Sequence, residues 1–443
     1  MWKFARPFAP TARYASSLEI SWKEGIPATL MQAVMDYYLI PLALFLGATP
    51  VQIGLLVAIP NLLGCLAQIF AVEMVNLIGS HLRFLVIAAA AQAAFLLPVA
   101  LLPIFGFSFR LETLILLITF FRILAGVIGT VWSALVSNYL PMEERGKYFG
   151  WRMRIQGIAG VASIILGGLF LSWTKNTALA LGFFLLFFFT SASRFVSSLF
   201  MARMENIPIR IQKESDFTLV MFLARFRESN FVKFVLYAAC ISFATNLASP
   251  YFSVYALKEL HFSYLQYMTW QCISAATGLI AFPLWGRLAD QVGNAKILRS
   301  TSFIVPLIPV LWLLTKNFYG ILLIETIACY TWAGFNLCSL NFIYDAVSPE
   351  KRTRCLSYFY LINGIAIFFG ASLGGVLAEN LPRLLGSRFY SLFLLSGIFR
   401  AGSHFLLSKK FREVRANAQK MTSLELFFSV VGIKPLLDRL EAK

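Results

Sequence analysis

Apolar runs of about 20 residues follow one another along nearly the whole chain, separated by short polar segments. A run of this length lets a helix cross a bilayer, and the runs lack the strict alternation of barrel strands. Lipid requires backbone groups to be satisfied within a segment, so the runs predict an all-α integral membrane protein. Twelve helices are predicted, at residues 25–47, 51–72, 83–104, 111–139, 147–172, 177–202, 232–257, 263–285, 297–316, 318–345, 353–378 and 387–408.

The chain also repeats itself at a separation of 207 residues. The segment PMEERGKYFGWRMRIQGIAGVASIILGG is matched by SPEKRTRCLSYFYLINGIAIFFGASLGG, with Arg145 matching Arg352 and three glycines at the same spacing. A repeat of this kind predicts two pseudo-symmetric six-helix halves, as in many transporters. The predicted organisation is an arm at 1–24, a first bundle at 25–202, a linker at 203–231, a second bundle at 232–408 and a basic tail at 409–443.

The composition agrees with an integral membrane protein, and the distribution of charge predicts which side of the membrane holds the termini. The chain is 59% hydrophobic and 13% charged, with a mean hydropathy of +0.73. Its net charge of +17 suggests nucleic-acid binding, but the positions of the 38 lysines and arginines argue against it. Most fall on the side of the predicted membrane that holds both termini, which the positive-inside rule makes cytoplasmic. Only six fall on the opposite side: Arg110, Lys175, Lys258, Lys316, Arg383 and Arg388.

The sequence gives no supported motif of enzyme or metal chemistry. The six cysteines form no CxxC pair, and the three histidines have no metal spacing, so we expect no metal site. The sequence contains no GxxxxGK[ST] or HExxH, so we expect neither ATP-driven transport nor metalloprotease activity. Its one GxSxG match, at residues 370–374, lies inside a predicted apolar helix rather than at a strand-to-helix turn, so we expect no hydrolase activity either. We therefore expect a non-enzyme without a cofactor, in which any coupling ion is a proton.

One loop of the second half carries a family signature. Residues 286–293 read GRLADQVG and are followed by Lys296 and Arg299. This resembles the G-x-L-a-D-x-x-G loop of the major facilitator superfamily, and the PMEERG segment is similar to that family's loop after helix 4. The resemblance covers about residues 25–408. The first-half copy of the signature, at Val72–Gly79, is eroded, with Asn76 where the acid belongs.

The resemblance implies roles for this loop. In that family the loop latches the two halves on the cytoplasmic side. The candidate latch residues here are Gly286, Arg287, Asp290, Gly293 and Arg352. The alternative is that the charged members are solvated signals of topology.

Two charges of opposite sign are predicted deep within the membrane. Asp36 and Arg122 each lie about eleven residues into a helix, which places both about 16 Å deep. An unpaired charge at that depth costs at least about 2.5–3.5 kcal/mol, which favours pairing or exposure to water. The resemblance implies that helices 1, 4, 7 and 10 line a central cavity, where these two residues can meet. The hypotheses are a proton- or cation-binding site at Asp36 tuned by Arg122, or a static ion pair.

Other polar and charged positions on the predicted helices have open roles. Glu325 is a second titratable group, a substrate contact or a residue that snorkels to the interface. Arg194 and Arg400, at matching places in helices 6 and 12, are expected to anchor at the interface. Arg152 and Arg154 are expected to contact lipid or the preceding loop, with an anionic substrate as the alternative. Further substrate candidates on the cavity helices are Tyr37, Tyr38, Asn246, Trp332 and Asn336.

Together these features predict a secondary active transporter in which two six-helix halves alternate access to a small solute, with proton or ion coupling. The predicted partners are a small-molecule substrate and the lipid bilayer, without nucleic acid. A monomer in a cell inner membrane is expected. The alternative is a non-transporting protein of the same fold that acts as a receptor, assembly partner or lipid translocase.

Overall fold

A computed structural model describes residues 13–106, 108–175, 178–207, 229–347 and 352–414, without the side chains at 142–143 and 352–353. The described first half forms α1 (Ala15–Phe45), α2 (Pro50–Ile69), α3 (Ala71–Ile78), α4 (His81–Leu101), α5 (Arg110–Ser137), α6 (Met142–Thr174) and α7 (Leu179–Met201). The described second half forms α8 (Asn230–Asn246), α9 (Ser249–Lys258), α10 (Tyr264–Val292), α11 (Asn294–Ile304), α12 (Leu307–Leu314), α13 (Phe318–Ala346), α14 (Arg352–Asn380) and α15 (Arg388–Leu407). No β-strand occurs in the described ranges, where one isolated bridge joins Leu384 and Ser387.

Each predicted helix coincides with helix in the structure, with three kinds of difference. The first helix begins at Ala15 rather than at residue 25, and the predicted loop after α2 contains the short helix α3. Two predicted helices are each divided, between α8 and α9 and between α11 and α12. Both breaks lie beside a proline, Pro250 and Pro306, whose missing N–H weakens the helical ladder there. By contrast, α1 runs unbroken through Pro27 and Pro41.

Short polar side chains start many of these helices. Each accepts a hydrogen bond from a backbone N–H that has no partner within the first turn. Thr49 and Gln52 form a reciprocal capping box at α2. Single caps start α4, α8, α13 and α15, at Ser80, Ser229, Asn317 and Ser387.

Eleven helical stretches among the described residues are long and apolar enough to cross a membrane. The eleven include the α8–α9 and α11–α12 stretches, each taken as one span. The twelfth predicted span forms α15, which is helical but does not belong to this apolar set. The structure therefore establishes a multi-pass helical membrane architecture. The count of twelve spans and the side occupied by the termini stay predictions.

The described residues pack into two compact units. The first contains the described part of Met1–Lys213 together with Ser249–Cys272 and Ile367–Glu379. The second contains the described parts of Glu214–Ala248, Ile273–Ala366 and Asn380–Lys443. In the first unit, the Tyr267 hydroxyl donates to the Tyr37 carbonyl at 3.0 Å, and Lys258 Nζ donates to the Ala48 carbonyl at 3.0 Å. The bundle limits at 202 and 232 remain predictions from the sequence repeat.

Each unit has a hydrophobic core of its own. In the first unit, the N-terminal part of α1 packs with α4, α5 and α6, and Leu18 and Tyr148 are fully buried there. In the second unit, aromatic rings from α8 and α13 surround Phe411, which follows α15. The Phe234 ring centroid lies 4.6 Å from that of Phe342 and 5.6 Å from that of Phe411. Burial of these large rings stabilises each unit by removing apolar surface from its surroundings.

Candidate functional site

Asp36 and Arg122, which the sequence places at one depth on α1 and α5, meet in the structure. Arg122 Nη2 lies 2.9 Å from Asp36 Oδ1. Gln32, one turn earlier on α1, donates from Nε2 to both carboxylate oxygens of Asp36 at 2.8 Å. The carboxylate is therefore held by one charged and one neutral donor from two helices.

This ion pair is not sealed inside the first unit. The Asp36 side chain is 42% exposed and the Arg122 side chain is 26% exposed. A pair of this exposure gains little net stability from its Coulomb attraction, so stability alone does not explain it. A carboxylate on an accessible face of a membrane bundle can take up a proton or bind a cation, and its arginine partner can pair with it again after release.

The backbone of α5 at Arg122 is set by glycines on two helices. A Cβ added to Gly64 of α2 would lie 2.9 Å from the Arg122 carbonyl oxygen. A Cβ added to Gly126 of α5 would collide with the Gly64 carbonyl oxygen. The two helices therefore touch backbone to backbone, as small residues permit in membrane bundles. This contact fixes the position from which the Arg122 side chain reaches Asp36.

A second charged cluster, which we call the Glu24 network, lies nearer the start of α1. Glu24 is 1% exposed, and its Oε2 lies 3.2 Å from Arg152 Nη2 of α6. Its Oε1 accepts a hydrogen bond from Ser197 of α7 at 2.8 Å and lies 3.9 Å from Arg194 Nη1. Arg194 also donates from Nε to Gln92 Oε1 of α4 at 2.7 Å. One carboxylate and two guanidinium groups thus join α1 to α6 and α7, and Gln92 joins α4.

The sequence interpretation of these residues was wrong in two respects. Arg194 is 4% exposed, so it does not anchor at the interface. Arg152 is 8% exposed and lies with its Cζ 4.0 Å from the Trp132 ring centroid, so it contacts protein rather than lipid or its loop. The small or apolar residues Leu18, Ser21 and Gly25, spaced three to four apart, were a signal that α1 begins before residue 25 and buries Glu24.

Arg400 of the second unit is buried as well, which again corrects the expected interfacial anchor. Its side chain is 1% exposed, and its Nε donates to Ser396 Oγ at 3.1 Å. Nη1 donates to the Val305 carbonyl and Nη2 to the Thr245 carbonyl, each at 3.3 Å. No carboxylate of the described residues lies within salt-bridge distance of this guanidinium. Arg400 therefore ties α15 to the last turn of α8 and to the residue that follows α11.

Glu325 of α13 faces α10 within the second unit. Its Oε1 accepts hydrogen bonds from Ser274 Oγ at 2.7 Å and from Cys329 Sγ at 3.2 Å. A carboxylate held by two donors in a partly buried position is not snorkelling toward an interface. Its two other predicted roles, a titratable group or a substrate contact, stay predictions.

The other substrate candidates differ in how accessible they are. Tyr38 is fully buried, and its hydroxyl donates to the Ile164 carbonyl of α6, so its polar atom is already bonded within the bundle. Tyr37 is partly buried. Asn246 donates to the Ser242 carbonyl one turn earlier at 2.9 Å. Trp332 packs edge-on against Phe335, whereas Asn336 is exposed.

The candidate latch lies at the turn from α10 to α11. Arg287 and Asp290 are exposed, and Gly286 is partly buried. Gly293 has a φ of +86°, a left-handed conformation that glycine adopts readily, and it starts α11. The side chain of Arg352 lies outside the described part of the structure, so its role as a latch partner stays a prediction.

The chain after α15 folds back onto this turn, and we call residues 408–413 the C-terminal strap. Glu413 Oε2 accepts a hydrogen bond from the Ala295 N–H in the first turn of α11 at 2.7 Å. Arg299 Nε donates to the Ser408 carbonyl at 2.9 Å, and Asn230 exchanges two hydrogen bonds with the Arg412 backbone. Phe411 is fully buried between these polar contacts. The sequence interpretation did not assign any contact to this segment.

In the first unit, the segment after α7 likewise folds back onto the start of an earlier helix. Asn206 Oδ1 accepts hydrogen bonds from Ser80 Oγ at 3.1 Å and from the Leu82 N–H at 3.4 Å, at the start of α4. The Tyr139 hydroxyl donates to the Glu205 carbonyl. Burial raises the pKa of the Tyr139 phenol well above its ordinary value, so this donor keeps its proton. Asn206 and Glu413 are 207 residues apart, the spacing of the sequence repeat.

No group of three or more His, Cys, Asp and Glu side chains that could hold a metal occurs among the described residues. None of the cysteines in the described ranges forms a disulfide, and most are partly or fully buried. The expectation that the protein uses no metal stays a prediction.

The family model of the major facilitator superfamily matches residues 26–336 and 234–436, which together span most of the sequence. The chain belongs to this superfamily. The match confirms the resemblance that the GRLADQVG loop carries and that the sequence placed over about residues 25–408. A comparison with curated proteins gives no match by sequence.

Solved structures of transporters share this fold. The nucleoside transporter NupG, in a mutant form, is 14% identical, with a TM-score of 0.72 over 89% of this chain and 100% of that one. A bacterial homologue of the human lysosomal transporter Spinster, in an inward-facing and occupied conformation, is 15% identical, with a TM-score of 0.67 over 91% and 98%. A D-xylose–proton symporter is 13% identical, with a TM-score of 0.64 over 90% and 96%. At these identities the likeness shows the fold alone.

Proposed function

We propose that this protein is a secondary active transporter that couples solute movement to proton binding at Asp36. The observation that carries the proposal is the partly exposed Asp36–Arg122 pair, 2.9 Å apart, on two adjoining helices of the first unit. A carboxylate of this kind is costly inside a membrane and is typical of a proton or ion pathway. Neutralising Asp36 would release Arg122, and that change in pairing is the step that proton binding supplies.

The arrangement also supports an order of events. While Asp36 is ionised, Arg122 and Gln32 hold it in one position. When Asp36 takes up a proton, the guanidinium keeps its charge and becomes available to an anionic or polar group of the solute. The coupling is therefore mutual, since the solute and the proton each change the free energy of binding of the other. Monomeric action in a cell inner membrane is part of the same proposal.

The test is proton-coupled uptake by the purified protein in proteoliposomes. Nucleosides and D-xylose head the panel of solutes because proteins of this fold are named for carrying them. We expect one class of solute to drive a proton flux that is read by an internal pH dye. Asp36→Asn should lower that flux about tenfold or more while exchange of labelled solute at equal pH continues.

Glu19→Gln is the matched control, because Glu19 is an acid on the same helix whose partner is Lys23, at 2.8 Å. This variant should leave proton flux and exchange unchanged. Unaltered proton flux in Asp36→Asn would overturn the coupling role. Absence of transport across a wide solute panel would favour the alternative of a receptor, assembly partner or lipid translocase.

A further inference from the structure

A groove opens on the side of the first unit between α6 and α7, with α1 as its floor. Its volume is about 510 Å³, which falls within the range of pockets that bind small ligands. Leu30 and Val34 of α1 form the floor, and the walls come from residues 163–170 of α6 and 186–193 of α7. The groove is separate from the Asp36–Arg122 pair, since neither residue lines it.

Three hydroxyl side chains line the groove, and two of them are bonded to protein carbonyls. Ser163 donates its hydroxyl to the Leu30 carbonyl at 3.1 Å. Thr190 donates its hydroxyl to the Leu186 carbonyl at 2.8 Å. The remaining lining is predominantly aliphatic or aromatic, and no charged side chain of the described residues lines the groove. Its chemistry therefore suits an apolar chain rather than a polar solute.

The rim shows where such a chain would come from. Leu166 is 64% exposed, Leu169 48% and Phe189 63%. These residues lie within α6 and α7, which are both long and apolar enough to cross the membrane. In a membrane protein of this family, large apolar side chains that are exposed on spanning helices face hydrocarbon rather than water. The mouth of the groove therefore meets the lipid acyl chains directly.

The end of α6 supplies a place for a head group. Phe170 of the groove packs against Trp173, with ring centroids 6.3 Å apart, and Trp173 is 77% exposed. Lys175, which follows α6, is exposed as well. Tryptophan favours the level of the head groups, and five residues of helix from Phe170 to Lys175 span about 7.5 Å. The level at which a lipid phosphate would lie above the groove thus carries a cation, Lys175.

We infer that the groove between α6 and α7 binds one acyl chain of a phospholipid, with its phosphate at the level of Lys175. The site is a lateral lipid site of the first unit and does not depend on proton coupling. It would hold one lipid longer than the lipids that surround the rest of the bundle.

Photocrosslinking of the full chain in proteoliposomes tests this inference. The probe is phosphatidylglycerol that carries a diazirine in one acyl chain, and labelled positions are read by mass spectrometry of peptides. We expect labelling at Leu166 and Phe189 to exceed labelling on exposed faces of α15 by about tenfold. Even labelling over all exposed helix faces would overturn the inference.

Two variants separate a specific site from general lipid contact. Ser193→Phe fills the groove from α7 and should reduce groove labelling about tenfold, whereas Ser403→Phe makes the same change on α15 and should not. Gel filtration and thermal unfolding in detergent show whether each variant is folded. Lys175→Gln should keep groove labelling by phosphatidylcholine but lower labelling by phosphatidylglycerol. If Ser193→Phe folds and still labels at Leu166 and Phe189, the groove is not the site.

Discussion

Arg194 and Arg400 occupy matching places in the two sequence repeats, yet the structure holds their guanidinium groups in different ways. Arg194 belongs to the Glu24 network, where a carboxylate, an amide and a hydroxyl surround it. Arg400 is held by Ser396 and by two backbone carbonyls, without a carboxylate of the described residues in range. Both are nearly inaccessible, with 4% and 1% exposure.

The comparison shows that both repeats keep a buried arginine that joins helices, but that the groups bonded to this arginine differ. In both units the arginine joins the last helix of a bundle to earlier helices. In the first unit this junction also orients α1, the helix that carries Asp36, through Glu24. Among the described residues the second unit has no carboxylate at this junction, so Arg400 reaches α8 through the Thr245 carbonyl. Charge inside the first unit is thus organised around α1.

The largest expected effect is the loss of Glu24. Glu24→Ala would leave Arg152 and Arg194 buried without their carboxylate, which should lower the free energy of unfolding by about 3–5 kcal/mol. Thermal unfolding in detergent measures the effect as a lower Tm. Glu19→Ala, which removes an exposed acid from the same helix, should change stability by less than about 0.5 kcal/mol. An equal Tm for both variants would show that the Glu24 network does not stabilise the fold.

A smaller effect distinguishes the two arginines. Arg194→Leu leaves the buried Gln92 Oε1 without its donor and removes one of the two guanidinium groups beside Glu24, so it should cost about 2–3 kcal/mol. Arg400→Leu removes a buried charge, and the Thr245 carbonyl still accepts from the Ala248 N–H at 3.1 Å, so the cost should be about 1 kcal/mol.

Parallel denaturation of the two arginine variants in one detergent gives this comparison directly. Each variant leaves the other arginine in place, so each serves as the control for the other. If Arg400→Leu lowered the free energy of unfolding as much as Arg194→Leu or more, the difference inferred between the two units would be contradicted.

The smallest effect concerns the returning segments that cap α4 and α11. Glu413→Gln removes a negative charge from the N-terminus of α11 and should destabilise by about 0.3–1 kcal/mol. Asn206→Asp adds a negative charge at the matching place on α4 and should stabilise by a similar amount. Denaturation midpoints at low and high salt measure the stability change of each variant, and high salt should make both stability changes smaller. If both variants shifted the denaturation midpoint in the same direction, a charge–dipole origin of the effect would be contradicted.

The sequence predicted the fold well because the apolar runs and the GRLADQVG loop are local signals. Asp36 and Arg122 were also expected to meet, because counting along the helices gives them one depth and the family resemblance implies that both helices line one cavity. Helix ends were predicted less well. Residues 15–24 contain Ser17, Glu19 and Lys23, which resemble a polar arm, although that segment is the helical start of α1.

The Glu24 network could not be predicted in the same way. Glu24 and Arg152 are 128 residues apart, and Ser197 is 173 residues from Glu24. Whether such residues meet depends on the rotation of each helix about its axis, which packing of the whole bundle decides. The roles of Arg152 and Arg194 follow from those rotations, and no short motif in the sequence records them.

The C-terminal strap sets a limit on how far this protein can be shortened. Phe411 completes the aromatic core of the second unit, and Arg412 and Glu413 hold the starts of α8 and α11. A deletion that stops before Phe411 would remove a core residue even though α15 has already ended at Leu407. A fusion partner joined after Val414 would leave these contacts in place. For protein engineering, a shortened chain must therefore keep the strap as well as the last helix.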